Sequence, residues 1–298
     1  MKKYVGIDVG GTEIKYALLD EKAQFLEKGS IDTPYTNLEA FVEAIGAIVD
    51  RFKPEIEAVV MSVPGRVDSK NGYMFTGGAL RYIHEVNMAG LVEKRVSIPV
   101  VLENDAKCAA LAELWMGSLK GVEYGMVLTL GTGIGGGIVT HGKLLRGYNF
   151  AAGELSNLPT TLKPVNDPLQ AWAQVNGTGS LTYPYAMRKG LDMKEVNGKR
   201  FFEAYHAGDE DAHAVMDEFT TNFANAIYSI QTVLDNQRVA IGGGISAQDV
   251  LIEKFNEKLD ILFSNLHPSS PIKQPEVVRC TFGNDSNLIG ALYHYLYE

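Results

Sequence analysis

Apolar and polar residues alternate along Val5, Ile7 and Val9 and again along Ile14, Tyr16 and Leu18, with the period of two expected of half-buried strands. Gly10-Gly11-Thr12 lies between the two runs, so together they predict an antiparallel hairpin. Helical spacing follows over Leu38 to Phe52, and "EAVVMSVPG", Glu57 to Gly65, reads as a buried strand ended by Pro64-Gly65. "IPVVLEND", Ile98 to Asp105, reads as a further strand. The alanine- and leucine-rich "AKCAALAELWMG" then reads as a helix that stops at Gly117 with Asp105 as its N-cap. A second strand and glycine turn occupies "GMVLTLGTGIGGGIV", Gly125 to Val139, and a third occupies "RVAIGGGIS", Arg238 to Ser246. Between them Val215, Phe219, Phe223, Ile227, Ile230 and Leu234 recur every three or four residues, which predicts the apolar face of a core helix over Ala214 to Leu234. Prolines, Gly177 and Gly179 interrupt the stretch from Leu158 to Gly198, where loops and short helices are expected. "SNLIGALYHYLYE" sets Leu288, Leu292 and Tyr295 on one face of a closing helix.

Strands alternating with helices indicate an α/β protein. At 298 residues the chain is near the size at which one core stops growing, which favours two domains of roughly 110 to 180 residues over a single one. No low-complexity linker marks a boundary, so the division is expected to be short and near Gly117 to Tyr124. That gives a smaller N-terminal domain at 1–117 and a larger C-terminal domain at 118–284. With 46% hydrophobic and 21% charged residues the chain can bury a sizeable core. A formal net charge of -9 without a Lys/Arg cluster argues against nucleic acid and for a small-molecule partner. Only Cys108 and Cys280 are present, far apart and without metal-ligand spacing, which suits a reducing compartment. No apolar run is long enough for a membrane span, and a cytoplasmic location without a membrane partner is expected.

The glycine loops carry the candidate chemistry. A glycine turn after a buried strand lets backbone amides approach a phosphate with no Cβ in the way, and a threonine hydroxyl adds a donor. Gly10-Gly11-Thr12 and Gly131-Thr132-Gly133 share this composition, and although a tight hairpin explains one such loop, two alike point to an anion. Asp8 adds a carboxylate suited to holding Mg²⁺ through water, or to bonding the turn amides. "GTGIGG" also fits the G-x-G-x-x-G spacing, but the residues after it read as strand and turn rather than the helix a dinucleotide site requires. No G-x-x-x-x-G-K-[ST] motif occurs. "ENDAKCAA" places Glu103, Asn104 and Asp105 where an apolar strand meets a helix, the edge at which α/β proteins bind ligands. There Asp105 is either only a cap or a base kept ionised by the helix N-terminus.

In their order, "DVGGT", "ENDAKCA", "LGTGIGGGI", "AGEL" and "IGGGIS" resemble the ROK family of sugar kinases, in the actin-like ATPase superfamily, over nearly the whole chain. The resemblance implies two α/β domains of the actin-like, ribonuclease H-like type, with ATP and sugar meeting in the interdomain cleft and a helix at about 285–298 packed back on the first domain. It implies that Asp8, Gly10, Gly11 and Thr12 form one phosphate loop and Gly131, Thr132 and Gly133 the other, with Gly242, Gly243 and Gly244 beside the adenosine. Asp105 matches the catalytic base, while Asn104 and Glu154 match residues that bind sugar hydroxyls. ATP, Mg²⁺ and a homodimer are implied with them.

Departures from the family pattern sharpen the expectation. Where members commonly carry "AGEIGH" and a cysteine-rich zinc segment, this chain has Ala152-Gly153-Glu154-Leu155-Ser156-Asn157. Asn157 replaces the histidine and no cysteines follow, so no zinc site is expected. Gly77-Gly78-Ala79 stands for the "GPN" of glucokinase-like members, with Gly78 at the sugar. This combination resembles the β-glucoside kinase branch and implies 6-phosphorylation of a glucosyl unit such as that of cellobiose or gentiobiose. The alternatives are a kinase of free glucose, fructose or N-acetylmannosamine, a non-catalytic sugar-sensing ROK regulator, and a nicotinamide-linked dehydrogenase. Against the regulator, the first strand begins at once and Asp105 is retained.

Overall fold

The N-terminal alternation forms a hairpin in the computed structural model, which describes residues 1–160 and 170–298. β1 (Lys3–Val9) pairs antiparallel with β2 (Glu13–Asp20) in the register Val9 to Ile14, and Gly10 N donates to Glu13 O at 3.0 Å. β3 (Phe25–Asp32) adds to the outer edge of β2. The wholly buried β4 (Ala58–Val63) runs parallel to β1. Helix α1 (Leu38–Asp50) connects the two halves of this sheet, capped by Asn37, whose side chain accepts from Ala40 N at 2.9 Å. A small antiparallel sheet of β5 (Val67–Asp68), β6 (Tyr73–Thr76) and β7 (His84–Asn87) leads into α2 (Met88–Val96). β8 (Val100–Asn104) closes the main sheet in the order β3-β2-β1-β4-β8 and passes directly into α3 (Asp105–Met116).

At that junction one expectation is corrected. Asn104, not Asp105, is the N-cap: it leaves β8 extended and its side chain accepts from Lys107 N at 3.2 Å, while Asp105 is already the first helical residue. Both residue types cap well, and β8 runs one residue too short for the cap to fall on Asp105.

The chain folds into two compact units, one of Met1–Lys120, Leu144–Ala152 and Asn284–Glu298 and the other of Gly121–Lys143 and Gly153–Gly283. The C-terminal helix (Ser286–Tyr297) belongs to the first unit and packs on α3, β4 and β1. It crosses α3 closely enough that a Cβ on Gly290 would lie 1.8 Å from Cys108 O, so only glycine fits there.

The second unit is built on β9 (Gly125–Leu130) and β10 (Ile134–Thr140), the hairpin around the second glycine turn. With β11 (Lys143–Leu145), β12 (Arg238–Gly242) and β13 (Glu276–Arg279) the sheet order is β11-β10-β9-β12-β13. Part of the stretch expected to hold loops and short helices, residues 161–169, lies outside the described residues. Around it are α4 (Ala173–Asn176), α5 (Gly179–Lys189) and a 3-10 turn (Met193–Glu195). α6 (Gly198–His206) precedes α7 (Glu210–Leu234), whose apolar stripe is buried, and α8 (Asp249–Ser264) packs against it with Phe223 and Phe255 rings 3.6 Å apart. Trp172 Nε1 donates to Asn176 Oδ1 at 2.8 Å and Asn176 Nδ2 to Phe219 O at 2.7 Å, which satisfies these buried polar atoms.

Candidate active site

In the first unit the junction of β8 and α3 gathers the polar residues expected to hold a sugar. Half-buried Asp105 accepts at Oδ1 from Asn104 Nδ2 at 2.9 Å and from Ala106 N at 2.8 Å. Asn104 Nδ2 also donates to Gly65 O at 3.0 Å, so both its amide hydrogens are engaged and its oxygen caps the helix. Glu103, 0% exposed, points inward instead: one oxygen accepts from Asn104 N and the other from Arg146 Nε, both at 2.7 Å. Gly78, at φ +60°, is exposed beside Pro64-Gly65, and a Cβ there would lie 3.2 Å from Pro64 Cβ. Gly78, Asn104 and Asp105 therefore belong to one neighbourhood through Gly65.

Asp8 ends β1 just before the first glycine loop. Its Oδ1 accepts from Ser62 Oγ at 2.9 Å and from Asn287 Nδ2 at 3.0 Å. Burial raises its carboxyl above the ordinary carboxylate value, against the lowering effect of those two hydrogen bonds and of the Lys15 charge. In the loop, Thr33 bonds Thr12 O through its amide and Gly10 O through its hydroxyl, and Tyr35 donates to Gly11 O. Those bonds fix the turn from outside and leave Thr12 exposed. A Cβ on Gly11 would lie 3.7 Å from Ala79, so the loop approaches the Gly78 turn.

In the second unit the two remaining glycine loops lie together. Gly243, at φ +89°, approaches so closely that a Cβ on it would sit 2.2 Å from Leu130 O, immediately before Gly131-Thr132-Gly133. Thr178 caps that loop from the other side, its amide and hydroxyl each donating to Gly131 O at 2.8 Å. Gly153, at φ +90°, packs on Gly136 O and turns the chain into a 3-10 turn (Leu155–Asn157), leaving Glu154 and Asn157 exposed. Ser156 Oγ donates to Ile134 O at 3.0 Å and accepts from Ile134 N at 2.8 Å, tying Glu154's turn to the glycine loop. A cavity of about 700 Å³ opens beside Thr132, lined also by Thr178, Tyr183, Asn197 and Gly198. A second of about 420 Å³ lies between Gly244 and α6, lined by Gly198, Phe202, His206 and Gln248.

Sequence reading missed Ser62, Asn287, Arg146 and Ser156. Each acts by a hydrogen bond to a residue distant in the chain; Ser156 lies inside the quoted Ala152–Asn157 motif, but its bonds to Ile134 are not visible from that motif.

The ROK family description matches residues 4–297. The chain belongs to the ROK family. Among curated relatives, a protein named β-glucoside kinase from Listeria innocua is 29% identical over 300 residues, covering 99% of this chain and 98% of its own. Among solved structures, a ROK family protein from Streptococcus pneumoniae in complex with sucrose is 29% identical, covering 99% of this chain and 98% of its own, with a TM-score of 0.88. A ROK family glucokinase from Streptomyces griseus in complex with glucose and AMPPNP is 26% identical, covering 97% and 98%, with a TM-score of 0.82. The ROK protein described here thus has the two-domain α/β fold of the actin-like ATPase type. Among the described residues no helix is long and apolar enough to cross a membrane. Among them, too, no group of three His, Cys, Asp or Glu side chains could hold a metal ion.

Proposed function

We propose that this ROK protein is an ATP-dependent kinase that phosphorylates the 6-hydroxyl of the terminal glucose of a β-glucoside such as cellobiose or gentiobiose. The observation that carries the reading is Asp105, a carboxylate held at the first turn of α3 by Asn104 Nδ2 and the Ala106 amide. Asp105 accepts the proton of the 6-hydroxyl as that oxygen forms its bond to the γ-phosphorus, and the bond from that phosphorus to the ADP oxygen breaks. Phosphoryl transfer asks the protein mainly for positioning and charge stabilisation, which glycine-loop amides supply. Gly10, Gly11 and Thr12, with Gly131, Thr132 and Gly133, take phosphate oxygens. Gly242, Gly243 and Gly244 take the adenosine side, a reading supported by the cavity that Gly244 lines. A single carboxylate fits the preference of Mg²⁺ for few protein ligands and retained water, so Asp8 would hold that ion. When bound, the ion neutralises charge on the transferring phosphate.

Gly78, Asn104, Asp105, Glu154 and Asn157 are proposed as the sugar side. For a site built to pair the anomeric hydroxyl, losing or blocking that group is costly. Asparagine at Asn157, where the family carries a histidine, and full-length similarity to β-glucoside kinases both support an acceptor whose anomeric oxygen bears a second group. ATP supply and two buried cysteines suit the cytoplasm, the family resemblance supports a homodimer, and Asn157 in place of the family's histidine with no cysteine cluster after it supports an enzyme without structural zinc. The reading is tested by kcat/KM for cellobiose, gentiobiose, glucose and N-acetylmannosamine with ATP and Mg²⁺. Preference for the β-glucosides is expected, and preference for either free monosaccharide overturns it.

A further inference from the structure

Beside the Asn104–Asp105 junction, the first unit carries an aromatic cluster that the reaction just described does not use. The Phe75 and Phe150 rings stack at 5.9 Å and 26°, Tyr73 meets the Phe75 edge at 5.1 Å, and the Arg66 guanidinium lies 4.1 Å from the Phe75 centroid. All four residues are half-buried rather than sealed in the core. Two connections fix the cluster to the junction. Gly65, whose carbonyl accepts from Asn104 Nδ2, precedes Arg66 and packs so tightly on β6 that a Cβ would lie 2.2 Å from Thr76 O, next to Phe75. From α3, Lys107, a residue 2% exposed, donates through Nζ to Phe150 O at 3.1 Å.

Phe150 is held in an unusual state. It is a non-glycine residue at φ +59°, in a turn whose Phe150 amide donates to Gly147 O at 3.3 Å. A bulky side chain in the left-handed region costs free energy, and such positions persist where surrounding contacts over-determine them. Lys107 supplies such a contact from within the first turn of the helix that carries Asp105. Two residues before Phe150, Tyr148 is 97% exposed.

We propose that Phe150, backed by the stacked Phe75 ring, forms the platform for the second ring of a β-glucoside, the ring attached at the anomeric oxygen of the phosphorylated glucose. The inference rests on the β-glucoside reading and names the part of the protein that makes it specific. The flat face of a β-linked pyranose presents C–H groups of partial positive charge, which match the negative face of an aromatic ring, and an aryl aglycone stacks on the same surface. Arg66, whose guanidinium lies over the Phe75 ring, is a donor for outer-ring hydroxyls beside Phe150. Lys107 acts as a positioning residue that sets the Phe150 turn.

The test measures kcat and KM of wild type, Phe150→Ala and Phe75→Leu with cellobiose, p-nitrophenyl β-glucoside and methyl β-glucoside, which lacks a second ring, and with glucose. Thermal melts of each variant report folding, and Phe75→Leu keeps an apolar side chain should Phe150→Ala lose stability. A fall in kcat/KM of about 3- to 10-fold is expected for the two-ring substrates, mostly through KM, several times larger than that for methyl β-glucoside. Loss confined to cellobiose assigns the platform to a sugar ring, and loss on both two-ring substrates to either ring type. Equal falls on all substrates, or none, in a folded variant overturn the platform. A wild type active only on free monosaccharides overturns the β-glucoside reading itself, so the two failures are distinct.

Discussion

Replacing Asp105 by asparagine separates chemistry from folding at a single atom. Oδ1 of the carboxylate accepts from Asn104 Nδ2 at 2.9 Å and from Ala106 N at 2.8 Å, and the asparagine oxygen can accept both bonds again. Because Asn104 is the N-cap, the cap survives. The structural loss is one negative charge in the first turn of α3, about 0.3–1 kcal/mol, which lowers Tm by up to about 4 °C in a protein of this size. With Asp105 as the proposed base, the chemical loss is the proton acceptor, about 10²- to 10⁴-fold in kcat, or about 3–5 kcal/mol of transition-state stabilisation. The rate effect therefore exceeds the stability effect several-fold, and kcat should collapse while KM for the sugar changes little. A coupled ADP-release assay and a thermal melt on the same preparation measure both. If the folded variant keeps more than about a tenth of wild-type kcat, Asp105 is not the base.

Three further outcomes follow from particular contacts. Asp8→Asn can keep both hydrogen bonds from Ser62 and Asn287 yet loses the charge, so with Asp8 as the proposed Mg²⁺ ligand half-maximal activity should need a higher Mg²⁺ concentration, and an unchanged Mg²⁺ titration refutes that role. Because burial raises the Asp8 carboxyl, the folded wild type holds more protons than the unfolded chain just above the ordinary carboxylate value. Wild-type stability is thus lost as pH rises through that window, and melts from about pH 4 to 7 should show Tm of Asp8→Asn gaining on wild type; a flat or reversed difference refutes this. Gly243→Ala, at φ +89° and 2.2 Å from Leu130 O, should cost more than about 1 kcal/mol, whereas Gly244→Ala, with nothing within 4 Å, should melt close to wild type. Arg146→Met leaves Glu103 buried without its cation and should cost about 3–5 kcal/mol, partly recovered by adding Glu103→Gln, as measured by denaturant unfolding.

The parts of this molecule legible in its sequence are those where local pattern and tertiary role coincide. β1 and β2 alternate because each turns alternate residues to a packed face, and Gly10-Gly11-Thr12 and Gly131-Thr132-Gly133 declare their turns by composition. β3, "FLEKGSID", is an edge strand mostly exposed or half-exposed along its length, so its pattern carries no apolar face to read. β5, β6 and β7 are two to four residues long, too short to show a period. The cap of α3 falls one residue earlier than the sequence pattern suggests because Asn104 and Asp105 are both good caps, and only the end of β8 decides between them. Asp8's two donors lie 54 and 279 residues away, which no local pattern encodes.

The hydrogen bonds of Asn104 also bear on its proposed role at the sugar. An asparagine side chain has two amide hydrogens and one carbonyl oxygen with two lone pairs. Here the hydrogens go to Gly65 O and Asp105 Oδ1, and the oxygen accepts from Lys107 N. One lone pair remains, so Asn104 can accept one hydroxyl proton from a sugar but has no hydrogen left to donate. Its main work is then to hold the Asp105 carboxylate in one orientation and to fasten the Gly65 turn beside it. Glu103 underpins the same residue from below, accepting the Asn104 amide with one oxygen and Arg146 with the other. Arg146 in turn begins the loop that ends in Phe150, and its carbonyl accepts from Ala152 N at 3.1 Å. The proposed base, sugar contact and aromatic platform are therefore joined by one bonded network around the start of α3, so a change at Glu103 or Arg146 should affect all three without removing a group that would touch substrate.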